Sequence, residues 1–288
     1  MMKYIEKNKS IVLILSFLLL IGFDLWVCSS VTAQFGLNFF TNMLSVAVTV
    51  LIIDRLIQNR EDEKRIPQKL AAYEDIRLYT SRYIDFWTDL YKQSVPEDDP
   101  ETIQEFFSEN GMIKILKYLY LDSVPNVIPP LKCREWVAQN AKEFKENGDK
   151  ILDRHSHNLD PAAFGFIHQL TESPFNNLLL SLPLRKQLDS VMNVPRIEIL
   201  GSYVFPPQNE DYQAIFGLLT WCRKTYLELN NYSPTIKMVG EYTPQNNKAM
   251  PPKCMIPKDV LEKQTNEVNA FIQKDHGQLK WVRINEGK

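Results

Sequence analysis

The chain has 288 residues, with 33 Lys and Arg against 35 Asp and Glu, for a formal net charge of -2. That balance argues against a dedicated nucleic-acid binder, which carries a large positive excess, and 44% apolar with 24% charged residues argues against a disordered or collagen-like chain. Four cysteines without a CxxC pair make neither a disulfide framework nor a common zinc motif.

The first element in chain order is an apolar amino-terminal region. A single charge, Asp24, interrupts the run from Ile11 to Ile53. Two spans of membrane length are expected, at about 11–30 and 35–53, since about 20 helical residues rise roughly 30 Å. Lys3, Lys7 and Lys9 precede the first span; Arg55, Arg60, Lys64 and Arg65 follow the second. The short connection carries no Lys or Arg. Positive flanks favour the cytoplasmic side, so residues 1–60 predict a transmembrane hairpin in a bacterial inner membrane with both termini inside. Trp26 falls near the external turn, where interfacial aromatics are expected. Two other readings stay open. Val31-Thr32-Ala33 after a Lys-rich start resembles a signal-peptide cleavage site, although cleavage would leave the second span. The two runs could also be core helices of a soluble protein.

Polar residues inside these spans are the candidate functional residues. Asp24 and Asn42 fall at similar depth. Asn42, Ser45 and Thr49 share one helical face by their spacing. An acidic group in lipid is costly unless paired, hydrated or neutralised, and by default marks function. Asp24, Asn42, Ser45 and Thr49 are therefore expected to form a membrane-active polar face, lining contacts between copies in an active homo-oligomer. The plainer alternative is that Asp24 snorkels to the headgroups or bonds Asn42 within one hairpin.

Residues 61–288 predict a mainly helical cytoplasmic domain, large enough for a sizeable core. Pro67 is expected to open a new helix, followed by an apolar and aromatic stripe at Ile66, Leu70, Tyr73, Ile76, Tyr83, Trp87 and Leu90. Glu97, Asp98, Asp99 and Glu101 mark an acidic turn. One or two helices follow over 101–121, broken at Gly111. A long amphipathic helix is predicted from Lys132 to His155, a short one from Asp160-Pro161 to Leu170, and another from Ser173-Pro174. Two more are predicted over 210–229 and 257–274. Short segments at 196–205, 235–242 and 279–284 could be strands of a small sheet, and 244–257 reads as an extended polar loop.

No phosphate-binding, dinucleotide-binding, nucleophile-elbow or HExxH motif occurs, so no catalytic residue and no cofactor is predicted. The nearest metal candidate is Asp153-Arg154-His155-Ser156-His157 with His168, but two histidines two apart on a helix point to different faces. Cys222 lies on an apolar helical face and reads as a buried structural thiol. The acidic turn lacks the spaced ligands and glycine of an EF-hand. Scattered basic residues predict no sequence-specific contact with nucleic acid.

The run Phe40-Thr41-Asn42-Met43-Leu44-Ser45, then Thr49 to Leu56, Arg60 to Arg65 and Pro67 to Tyr73, resembles a pattern in two-span bacterial inner-membrane proteins. The whole layout, a short hairpin plus a helical cytoplasmic domain, resembles the two-transmembrane effector of a retron anti-phage system. That resemblance implies a toxin held silent by a ribonucleoprotein, a reverse transcriptase with its RNA–DNA product, and released to damage the membrane in abortive infection. It carries no residue roles. The alternatives are a membrane-tethered scaffold or signalling adaptor without toxicity, and a membrane-bound enzyme without a recognisable motif.

Overall fold

The computed structural model describes residues 33–157, 159–240, 242–244 and 251–285, with Phe17, Leu20, Ile21, Phe23, Asp24, Trp26 and Val27. Lys3, Lys7 and Lys9, Val31 and Thr32 of the cleavage-like tripeptide, and Asn246 and Asn247 of the polar loop lie outside these residues. The chain divides into two compact units, Met1–Pro67 and Gln68–Lys288.

The protein is mainly helical. Helix α1 runs over Ala33–Ser94, α2 over Ile103–Phe106, α3 over Glu109–Tyr118, α4 over Cys133–His155 and α5 over Pro161–Glu172. Then come α6 at Pro174–Leu180, α7 at Leu182–Met192, a 3-10 turn at Leu200–Ser202, α8 at Asn209–Leu229 and α9 at Lys258–Asn285. Pro67 does not open a helix; it sits inside α1. A proline there removes one amide donor from the helical ladder, and the boundary between the two units falls at the same residue.

Within Gln68–Lys288, the later turns of α1 supply the centre of the core. Tyr73, Ile76, Trp87, Leu90 and Tyr91 are almost wholly buried. Tyr79, Ile84 and Phe86 bury other faces of the same helix, while Arg82, Asp85 and Asp89 keep one strip of it exposed. Its rings meet Phe144 and Trp136 of α4, Phe175 of α6, and Phe106 beside Phe107 at the end of α2. Helix α4 packs on α5, α6 and α7, and α5 packs on α8.

Caps explain where the short helices start. Asp160 accepts the Ala162 amide at 2.8 Å, and Ser173 accepts that of Phe175 at 3.2 Å, each with proline at the first helical position. Both starts are legible in the sequence. Asp211, buried in the first turn of α8, accepts from Gln208 N at 3.1 Å, Ser173 Oγ at 2.9 Å and Gln169 Nε2 at 3.2 Å. One carboxylate therefore joins the ends of α5 and the starts of α6 and α8.

Gly111 does not break its helix. The break comes at Phe107–Ser108, where Ser108 caps α3. A Cβ on Gly111 would lie 2.2 Å from the Phe106 carbonyl oxygen, so the glycine is needed for close backbone approach. Among the described residues the three strand-like segments form no sheet. Ile199 makes one isolated bridge with Tyr120 before the chain turns into the 3-10 helix. Residues 235–240 are irregular, and 279–284 continue α9.

Candidate functional site

Leu37–Ile57 of α1 is 21 residues long with a mean hydropathy of 1.7, and none of it is buried. It is the only helix among the described residues long and apolar enough to cross a membrane. In water such a bare apolar surface is unfavourable. Asn42, Ser45 and Thr49 are all exposed on this helix. Their spacing places them within a sector of roughly 60°. Thr49 Oγ1 donates to the Ser45 carbonyl at 2.8 Å, and Thr41 Oγ1 to that of Leu37 at 2.7 Å. These hydroxyls have spent their protons on their own helix, which lowers the cost of placing them in lipid. Asp24 is exposed and helical on the preceding segment. Its neighbours Phe23 and Trp26 stack or meet edge-on with Phe40, at centroid distances of 6.2 and 6.3 Å. An aromatic cluster thus joins the region of Asp24 to the turn of α1 that leads into Asn42.

A second site was not visible in the sequence. Glu198, on the extended segment before the 3-10 turn, is buried among positive groups. Its carboxylate accepts from Arg134 of α4, Lys186 of α7 and, at 3.0 Å, the hydroxyl of Tyr203. Its amide donates to Gln264 Oε1 of α9 at 2.9 Å. Arg134 lies over the Tyr203 ring at 4.9 Å and 3.9 Å from Asp122, while Arg196 lies 5.0 Å from the same ring and is forked onto Asp189 at 2.9 and 3.2 Å. Burial and the Glu198 charge push the Tyr203 phenol well above its ordinary range. A cavity of about 350 Å³ opens beside this cluster, lined in part by Asp122, Lys186, Asp189 and Glu198. These four charges each have an ionic partner already. The arrangement ties α4, α7 and α9 to one buried anion.

The residues of the nearest metal candidate in the sequence are dispersed. His155 Nε2 lies 3.0 Å from Asp75 Oδ2 of α1, with Arg154 3.6 Å from the same oxygen. His168 instead packs against Phe164. Among the described residues no group of three or more His, Cys, Asp or Glu is placed to hold a metal ion. In the acidic turn Glu97 pairs with Lys114, and Asp99 is buried.

Cys133, Cys222 and Cys254 are free and fully buried. A hydrogen bond from Cys133 draws the Cys254 thiol below its ordinary range and holds Cys133 up. Burial pushes the Cys222 thiol from its ordinary 9.0 up to about 12, against weaker opposing pulls from Thr80 and Arg77. The folded protein keeps a proton that the unfolded chain releases. Between those two values stability therefore falls as pH rises, by roughly 1.4 kcal/mol per pH unit from this group. Alkaline denaturant titrations are expected to show a shallower pH slope for Cys222→Ala than for the wild type. Equal slopes would mean that Cys222 ionises as it does in the unfolded chain.

No known protein family, curated protein or solved structure matches the chain.

Proposed function

We propose that the chain is a membrane-held effector of anti-phage defence, whose amino-terminal helices disturb the bacterial inner membrane once an inhibitory partner lets go. The observation that carries the reading is the uncovered apolar segment Leu37–Ile57 on the same helix whose later turns form the core of a folded unit. Lipid is the solvent that such a surface suits. In this reading residues 11–30 and 35–53 form a two-span hairpin. Arg55, Arg60, Lys64 and Arg65 keep the helical unit in the cytoplasm. Several copies would turn Asp24, Asn42, Ser45 and Thr49 toward one another, because one hairpin cannot enclose a path for ions. The restraining partner would be a ribonucleoprotein of a reverse transcriptase and its RNA–DNA product. It acts by binding the resting state more tightly than the active one.

A second reading, a membrane-tethered scaffold, draws on one observation: the Thr49 hydroxyl is satisfied within its own helix, which suits a passive anchor. Expression with and without the ribonucleoprotein, read by a membrane-potential dye, separates the two. The effector reading expects depolarisation only when the partner is absent, and loss of it when residues 1–57 are replaced by an unrelated two-span hairpin. Depolarisation that survives the replacement, or none from the wild type, rejects it.

A further inference from the structure

On the Gln68–Lys288 unit, a cavity of about 230 Å³ opens between α1 and α4. Its lining includes three aromatic residues, of which Phe86 and Phe144 are buried. Phe86 of α1 meets Trp136 and Phe144 of α4 edge-on, at centroid distances of 5.3 and 5.6 Å. Trp136 is only partly buried, so part of its surface remains accessible. Asp85 and Asp89, one turn apart on α1, and Glu143 on α4 stand on the walls. None of the three carboxylates pairs with a cation among the described residues; Glu143 accepts only the Gln139 amide, at 3.0 Å. Asn140 gives its side-chain amide to the Trp136 carbonyl at 2.8 Å, leaving its own oxygen as an acceptor.

We propose that this cavity binds a guanidinium group, supplied as an arginine side chain by a partner protein. Four features of the pocket favour that ligand. The accessible part of the Trp136 indole offers a cation the negative face of a π system, and arginine is the commonest such guest. Acceptors stand on both walls, which matches a planar group with five donors better than an ammonium with three or a quaternary ammonium with none. The volume lies below the roughly 300–1,000 Å³ of pockets that take drug-sized molecules, so it suits a single side chain. Asp85 and Asp89 stand exposed at the rim, and partial desolvation raises both carboxyls above their ordinary range, with Lys92 pulling the other way. An entering cation would relieve both. Arg82, also on the cavity wall, is the resident charge that would oppose the guest. The pocket is independent of whether the amino-terminal helices act on the membrane or only anchor.

The test uses the full-length protein in lipid nanodiscs with isotope-labelled tryptophan, titrated with N-acetylarginine methylamide and followed at the Trp136 indole. A saturable shift is expected. Asp85→Asn with Asp89→Asn should weaken binding roughly tenfold or more, since it removes two charge-assisted acceptors, while helix content stays unchanged. Arg82→Ala should tighten binding, which a merely structural role for these residues would not produce. Tetramethylammonium should bind more weakly. No saturable shift, wild-type affinity in the double variant, or equal affinity for tetramethylammonium would overturn the proposal. Tighter binding of phosphoethanolamine than of the arginine derivative would assign the pocket to a lipid headgroup and overturn the protein source.

Discussion

Glu198→Ala is expected to destabilise the helical unit by about 3–5 kcal/mol, the cost of breaking a buried ion pair from one side. Arg134 would be left as a charge only 2% exposed, with Tyr203 losing its acceptor. Arg134 Nη1 already has no hydrogen-bond partner among the described residues, and the carboxylate that remains, Asp122, stands 3.9 Å away, beyond hydrogen-bond reach. For a unit of this size the melting temperature should fall by roughly 10 °C, measured by circular dichroism. Lys186→Met is the matched control. Lys186 meets the same carboxylate but its side chain is 38% exposed, so its loss should cost at most about 1 kcal/mol. Equal losses from the two substitutions would mean that Glu198 is not the centre of the cluster.

In the proposed topology, Val46→Arg together with Val50→Arg is expected to expel the Leu37–Ile57 segment from the bilayer. Both valines lie exposed within Leu37–Ile57. Each arginine at the middle of a span costs about 2.5–3.5 kcal/mol on insertion scales, and two exceed what the remaining apolar residues can offset. If the first span still inserts, the helical unit moves to the outer side. A tag on Lys288, protected from protease in intact wild-type spheroplasts, should then become digestible in the double variant. A wild-type tag already open to protease would reject the proposed topology, and unchanged protection in the variant would show that this helix does not cross the membrane.

The sequence was most informative where the signal is local. Asp160-Pro161 and Ser173-Pro174 each combine a capping side chain with a proline that fits the first turn, and both helices begin there. The aromatic stripe on α1 was legible at Tyr73, Ile76, Trp87 and Leu90, because burial of a helix repeats with its period. Pro67 misled, since a proline weakens a helix without ending it when the flanking turns hold. The short apolar segment at 196–205 suggested a strand, but a run this short does not name a partner, and among the described residues the segment makes one isolated bridge. The Glu198 cluster left no local trace, because Arg134, Lys186 and Gln264 come from three separate helices. The cavity over Trp136 was hidden for the same reason. Spacing along α1 can pair Asp85 with Asp89, but only the packing of α4 brings Glu143 and Trp136 opposite them.

The buried carboxylate of Asp211 makes a keystone of three helix ends. Because Ser173 and Gln208 draw on the same side chain, fraying at the start of α6 would free an oxygen that α8 also needs, and the reverse. The corner should therefore open as a single cooperative unit, resisting stepwise unravelling until it gives way at once.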